Sequence, residues 1–139
     1  MMALFDVFQI SGSAMNAQSL RLNTVASNMA NADNVATTPE EAYRARYAVF
    51  STLMNDAVSG QAGAGVNVSE IVESQAEPLV RYEPNHPLAN EQGNVYSPNI
   101  NMVEEMANMI SASRSYQNNT EVFNTSKQLL LRTLNMGAN

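Results

Sequence analysis

The sequence predicts a mainly α fold: long N- and C-terminal helices paired as a coiled-coil-like inner domain, with a small β-rich insertion between them. Three observations carry this. Apolar residues recur every seven positions at both ends of the 139-residue chain, a spacing that keeps one seam of each helix against a partner. The middle mixes Gly, Pro and alternating apolar residues, which favour turns and short strands. The net charge of -6 is confined to that middle, where residues 33–100 hold nine acids against Arg44, Arg46 and Arg81. Asp6 and Arg21 cancel in 1–32, and Glu104, Glu105 and Glu121 balance Arg114, Lys127 and Arg132 in 101–139. The expected partition is a first helix over 1–32, an acidic β and loop insertion forming an outer domain over 33–98, and a second helix over 99–139.

In the first helix Phe8, Met15, Leu22 and Met29 form the seam, with Leu4, Val25 and Ala32 on the adjoining stripe and Gly12 as a weak point. The run "ADNVATTP" ends it. "AYRARYAVF" (42–50) has two readings. Tyr43, Ala45, Tyr47 and Val49 alternate as in a strand, whereas Tyr43, Tyr47, Phe50 and Met54 have helical spacing and Thr38-Pro39-Glu40-Glu41 fits a capping box. We read it as extended. "SGQAGAG" (59–65) is expected to be a loop, Val66 to Val72 and Leu79 to Glu83 strands, and "EPNHPLANEQGN" (83–94) a set of turns. "NVYSPNIN" leads into the second helix, because Pro98 disfavours helix at the residue before it. There the seam is Met102, Met109, Tyr116, Phe123 and Leu130, with Met106 and Leu134 alongside.

The second stripe is poor as a two-helix core, since Ser11, Gln18, Ser113, Thr120 and Lys127 stand where such a coil wants Leu. The outer faces are equally unusual. They carry Asn16, Asn23, Asn28, Asn31, Asn108, Asn118, Asn119 and Asn124 in place of charges, in a chain with only 14% charged residues against about 25% on average. Asn costs a helix roughly 0.6 kcal/mol relative to Ala and is not needed for solubility. An amide both donates and accepts without the desolvation cost of a buried charge. These faces are therefore expected to meet neighbouring subunits, with Asn23, Asn28, Asn31, Asn108, Asn118 and Asn119 as the interface set.

Several chemistries are excluded. Cys is absent, so there is neither a disulfide framework nor a thiolate metal site. The single histidine, His86, lies in a turn with no companion at ligand spacing. The pairs Glu40/Glu41 and Glu104/Glu105 are adjacent, so on a helix they point about 100° apart and cannot flank one bond; near helix starts they suit the dipole instead. "GAG" (63–65) has neither the spacing nor the following Lys of a phosphate loop. No catalytic, cofactor or metal site is expected. No basic cluster suggests nucleic acid or anionic lipid, and no segment reaches the roughly 20 apolar residues of a membrane span. The N-terminus lacks the basic flank of a secretory signal, which taken alone would leave the protein in the cytoplasm.

"ASNMANADN" (26–34) resembles the A-x-N-[LM]-A-N-A-[ND] signature of the bacterial flagellar axial proteins, the family of rod and hook components. The following "VATTPEEAYRARYAVF", the tract "YEPNHPLANEQGNVYSPNIN" (82–101) and the closing stretch Asn99 to Gly137 are similar to its proximal rod members. The resemblance implies paired terminal helices with a small outer β domain. It also implies a structural subunit of the proximal rod that assembles helically with other rod proteins and copies of itself, meets neighbouring basal-body components, and transmits torque across the periplasm. Such a subunit would leave through the flagellar type III exporter without cleavage of a signal peptide. Another axial component of distal-rod or hook type is the alternative, with a monomeric helical secretion chaperone behind it.

Overall fold

The structure, a computed structural model, describes residues 2–54 and 64–137. In chain order the elements are α1 (Met2–Asn31), β1 (Arg46–Met54), β2 (Ala64–Glu73), β3 (Leu79–Tyr82), β4 (Asn94–Ser97) and α2 (Met102–Gly137). α1 runs through Gly12 unbroken and stops at Asn31. Its last turn is closed by side chains: Asn31 Nδ2 donates to the Ser27 carbonyl at 2.8 Å, and Asn34 Nδ2 donates to Asn31 Oδ1 at 2.8 Å. α2 is capped at its start by Asn101, whose Oδ1 accepts from the backbone N–H groups of Val103 (3.1 Å) and Glu104 (3.4 Å), two of the donors that a helix N-terminus leaves unpaired. Glu104 and Glu105 then occupy the first turn, where negative charge suits the helix dipole.

The two helices pack against each other in opposite directions, since their contact partners run in opposite order. Phe8 meets Phe123 edge to face with ring centroids 4.8 Å apart. Further along α1, Arg21 Nη2 donates to Asn108 Oδ1 at 3.2 Å, and at its end Asn28 Nδ2 donates to Glu105 Oε2 at 3.1 Å.

β1 and β2 form an antiparallel hairpin, from Arg46 opposite Glu73 to Met54 opposite Ala64, and it lies along α1. The register shifts beside Val49 and Phe50, which pair with Glu70 and Val68. This leaves Ser69 as the extra residue, and its Oγ donates to the Val49 carbonyl at 3.2 Å. β3 and β4 form a second antiparallel pair, and Ala36 bridges to Tyr96 on the other edge of β4. The turn between them needs Gly93, whose φ is +78° and where a Cβ would stand 2.9 Å from the Tyr82 ring.

The segment 42–54 is thus extended from Arg46, and Thr38 to Glu41 form a turn and not the first turn of a helix, so Glu40 and Glu41 complement no helix dipole. Ala64 and Gly65, expected in a loop, belong to β2, and Ser59 to Gly63 lie outside the described residues. Gly65 sits tight against α1: a Cβ there would be 3.1 Å from Ser13 Oγ, the atom that accepts the Val66 N–H at 3.0 Å. β4 was not expected as a strand; Val95 (0% exposed) and Ser97 make it the most buried one.

Asn28 explains why β1 starts where it does. Its carboxamide pairs with the backbone of Arg46 as a neighbouring strand would, Nδ2 donating to the Arg46 carbonyl at 2.9 Å and Oδ1 accepting the Arg46 N–H at 2.8 Å. The same Oδ1 accepts from the Tyr43 hydroxyl at 3.0 Å, and the second amide hydrogen goes to Glu105. With no exposed surface and two donated and two accepted bonds, the amide is saturated. Tyr47 lies next to this junction, where burial, then the charges of Glu105 and Glu104, hold its phenol above the ordinary tyrosine pKa.

Asn28→Asp replaces the donor facing Glu105 and the Arg46 carbonyl with a second carboxylate oxygen. Each unpaired buried partner costs about 1–3 kcal/mol, so denaturant unfolding of the purified chain should show a loss of at least about 2 kcal/mol. Unchanged stability would remove Asn28 from its place as the junction. Asn101→Ala, which deletes only the cap of α2, should cost about 1 kcal/mol in the same measurement.

Candidate functional site

A two-helix unit offers faces, not a cleft, and the candidate site is the set of helix faces that remain open. The line buried between α1 and α2 is built from small and polar residues. Ser11 and Val25 are buried on α1, and Glu105, Ala112 and Ser126 on α2. Glu105, Ala112 and Ser126 lie on one seven-residue row with Asn119, directly beside the expected seam. The second stripe of α2 is therefore one position earlier than Ser113, Thr120 and Lys127. Lys127 is exposed, since a long cation gains nothing between two backbones that Ala112 and Ser126 allow to approach closely. Gln18 keeps its place on the α1 stripe, but its Oε1 is buried without a hydrogen-bond partner.

The expected seam flanks this line and is only half covered. Phe8, Met15, Leu22, Met29, Met102, Met109, Phe123 and Leu130 are all intermediate in exposure. Tyr116 is exposed at 37%, so it does not close the seam. Met106 and Leu134, expected beside it, are each 50% exposed. One helix cannot cover a partner's apolar stripe on both sides, and the rows left open face away from the pair.

The asparagines divide into two groups. Asn28 is the clear correction: it points into the chain and not toward a neighbour, because four hydrogen bonds consume its amide at the helix–hairpin junction. Asn31 is engaged at the end of α1, Asn108 accepts from Arg21, and Asn119 Nδ2 donates to the Ser115 carbonyl at 2.8 Å. These three amides are partly engaged within the chain. Asn23 and Asn118 are exposed, and no hydrogen bond within the chain holds either amide among the described residues. Asn23 lines an open groove of about 350 Å³ between α1 and the hairpin, with Leu20, Thr24, Arg46, Ile71 and Glu73. The groove is bordered by the Arg46–Glu73 ion pair at 3.2 Å, both side chains half exposed.

Among the described residues no three His, Cys, Asp or Glu side chains converge as a metal site would require, and no helix is long and apolar enough to cross a membrane. His86 is a turn residue, its Nδ1 accepting the Leu88 N–H at 3.0 Å.

Two family models match the chain at the positions of the helices. That described as "Flagella basal body rod protein" covers residues 8–36, which hold most of α1 and its closing turn. That described as "Flagellar basal body rod FlgEFG protein C-terminal" covers residues 91–136, which hold β4 and α2. The flagellar basal-body rod protein FlgC of Salmonella typhimurium is 52% identical over 136 residues, covering 98% of this chain and 99% of its own. That of Escherichia coli O6:H1 is 50% identical over the same share of both chains. The more distant FlgC of Bacillus subtilis is 34% identical, again over 98% of this chain and 99% of its own. With such identity over nearly the whole of both chains, the chain belongs to the FlgC family of flagellar basal-body rod proteins.

Proposed function

We propose that this structural rod subunit assembles helically with copies of itself and with other rod proteins, in the periplasmic part of the basal body, and there carries torque. Membership of the family makes it a rod component; the mode of assembly is inferred from its surfaces. The observation that carries it is the incomplete burial of the helix pair. Large apolar side chains such as Val103 (74% exposed) and Ile110 (55%) stand open on helices with few charges. Open apolar area of this kind marks a surface that is covered in the working state. The half-open rows of the seam would complete a left-handed supercoil only with helices from neighbours. A contact between unlike faces propagates without closing, which is the geometry of a helical filament.

Asn23 and Asn118 are the amides available to such a contact, since each is exposed and can both donate and accept. The acidic residues Glu70 and Glu77 of the insertion are exposed as well and are assigned to the outside of the rod. Export would proceed through the flagellar type III apparatus without a cleaved signal.

Asn118→Asp should leave the stability of the isolated chain within about 0.5 kcal/mol, yet lower the yield of basal bodies and swimming at an unchanged amount of exported protein. Glu70→Gln and Glu77→Gln should leave all three unchanged. Normal swimming with Asn118→Asp and Asn23→Asp combined would show that these amides face solvent in the rod. Loss of swimming from either glutamate change would put the insertion at a contact.

A further inference from the structure

The sheet of β3 and β4 is closed on one side and open on the other. Beyond β4, Tyr96 exchanges both backbone hydrogen bonds with Ala36, at 2.8 and 2.9 Å. Toward β3, pairing runs from Leu79 opposite Ser97 to Tyr82 opposite Asn94, and the Glu83 N–H then donates to the Gly93 carbonyl at 2.9 Å. Backbone groups alternate in direction along an antiparallel pair. Leu79 and Arg81 therefore turn theirs to β4, whereas the N–H and C=O groups of Val80 and Tyr82 point away from it. No hydrogen bond meets these groups among the described residues.

This edge lacks the devices that usually protect one. All four residues of β3 are exposed, Val80 at 59% and Tyr82 at 73%. The bulge at Ser69 is in the hairpin and not here. The charge on the strand, Arg81, is neutralised by an ion pair with Glu83. Pro78 and Pro84 stand at the two ends and not within the strand, so they limit the length of a pairing without preventing it. Unpaired backbone groups at dipeptide spacing, between large apolar side chains, are matched by an extended backbone with the same spacing.

We propose that an extended segment of a different basal-body polypeptide adds to β3 as a further strand, hydrogen-bonded to Val80 and Tyr82. A second copy of β3 does not fit. Two such strands paired antiparallel must oppose edge-facing residues. Val80 against Tyr82 sets Arg81 against Arg81, and like charges directly opposite are unfavourable. Val80 against Val80 sets Tyr82 against Pro78, and Tyr82 against Tyr82 sets Val80 against Pro84; neither proline has an N–H to donate. The other strands of a second copy are turned to their own chain, since Asn28 holds Arg46 of β1, Ser13 holds Val66 of β2 and Ala36 holds Tyr96 of β4. Glu77 precedes Pro78 and lies outside the paired stretch, so it stays free as assigned above. The inference stands whichever helix faces meet in the rod.

Proline at an edge-facing position removes only an outward N–H. Val80→Pro should leave the denaturant midpoint of the purified chain unchanged, whereas Arg81→Pro, which loses a bond to β4, should lower it. In flagellated cells lacking the native chain, Val80→Pro should weaken the contact roughly tenfold and reduce basal-body yield and swimming. The isosteric Val80→Thr keeps the N–H and should reduce neither. A second measurement uses p-benzoylphenylalanine in place of Tyr82, irradiated in isolated basal bodies. It should join this chain to a different polypeptide, with the product kept in the Val80→Thr background and lost in the Val80→Pro background. Normal basal-body yield with Val80→Pro, a product joining two copies of this chain, or no product from basal bodies that hold the chain in normal amount overturns the added strand. A midpoint lowered as far by Val80→Pro as by Arg81→Pro would put Val80 inside the ladder and overturn it as well.

Discussion

The carboxamide of Asn28 is the constraint on which the rest of the chain depends. Three elements that are remote in sequence meet at it: it stands at the end of α1, three of its four hydrogen bonds reach the first residue of β1 and the first turn of α2, and the fourth comes from the Tyr43 hydroxyl. A side-chain amide can do this because it carries the donor and acceptor of a peptide group without being fixed in a backbone. It begins the hairpin by acting as its first strand partner. It also holds the carboxylate of Glu105, which is 2% exposed and in no ion pair among the described residues. Aspartate would supply the shape without the donors, and Leu the volume without either.

From that fixed point the hairpin follows α1 toward its start, held again where Ser13 receives the Val66 N–H. Ala17 and Thr24, on the face of α1 away from the α2 seam, are buried. α1 is thus covered on two sides by its own chain, and α2 on one. This asymmetry accounts for the distribution of exposed apolar side chains, most of which on the helices belong to α2. Area that stays open in the single chain contributes nothing against chain entropy of roughly 1–2 kcal/mol per residue.

The helices, β2 and β3 were legible in the sequence because each rests on a periodicity that few other structures share. The extended state of 46–54 was legible from its alternation, although its cause was not. A helix over 42–54 was rejected by Asn28, a residue 18 positions before Arg46, and no local pattern encodes that. The second stripe of α2 was misplaced for a different reason. A heptad search rewards large apolar residues, whereas the buried line here consists of Glu105, Ala112 and Ser126, which a search for Leu passes over. The asparagines were read as one class because they share a face pattern, yet Asn28 and Asn118 perform opposite tasks. A signal was present: Asn28 lies one residue from Met29 on the seam and four from Ala32 on the adjoining stripe, close enough to turn inward.

The irregularity at Ser69 has a consequence for how this architecture can change. Strand pairs without such a mark can slide by whole dipeptides and keep their faces. Here Ser69 is the extra residue and its hydroxyl holds the Val49 carbonyl, so the pairing has a single phase that is set from the middle of the hairpin and not from its turn. Residues spliced between Met54 and Ala64 would lengthen the arm without disturbing its seating on α1, since loop length enters the free energy only logarithmically. The hairpin is a ruler with a fixed zero and an adjustable tip, a means by which chains built on one pair of helices can differ in reach while keeping the same seating on α1.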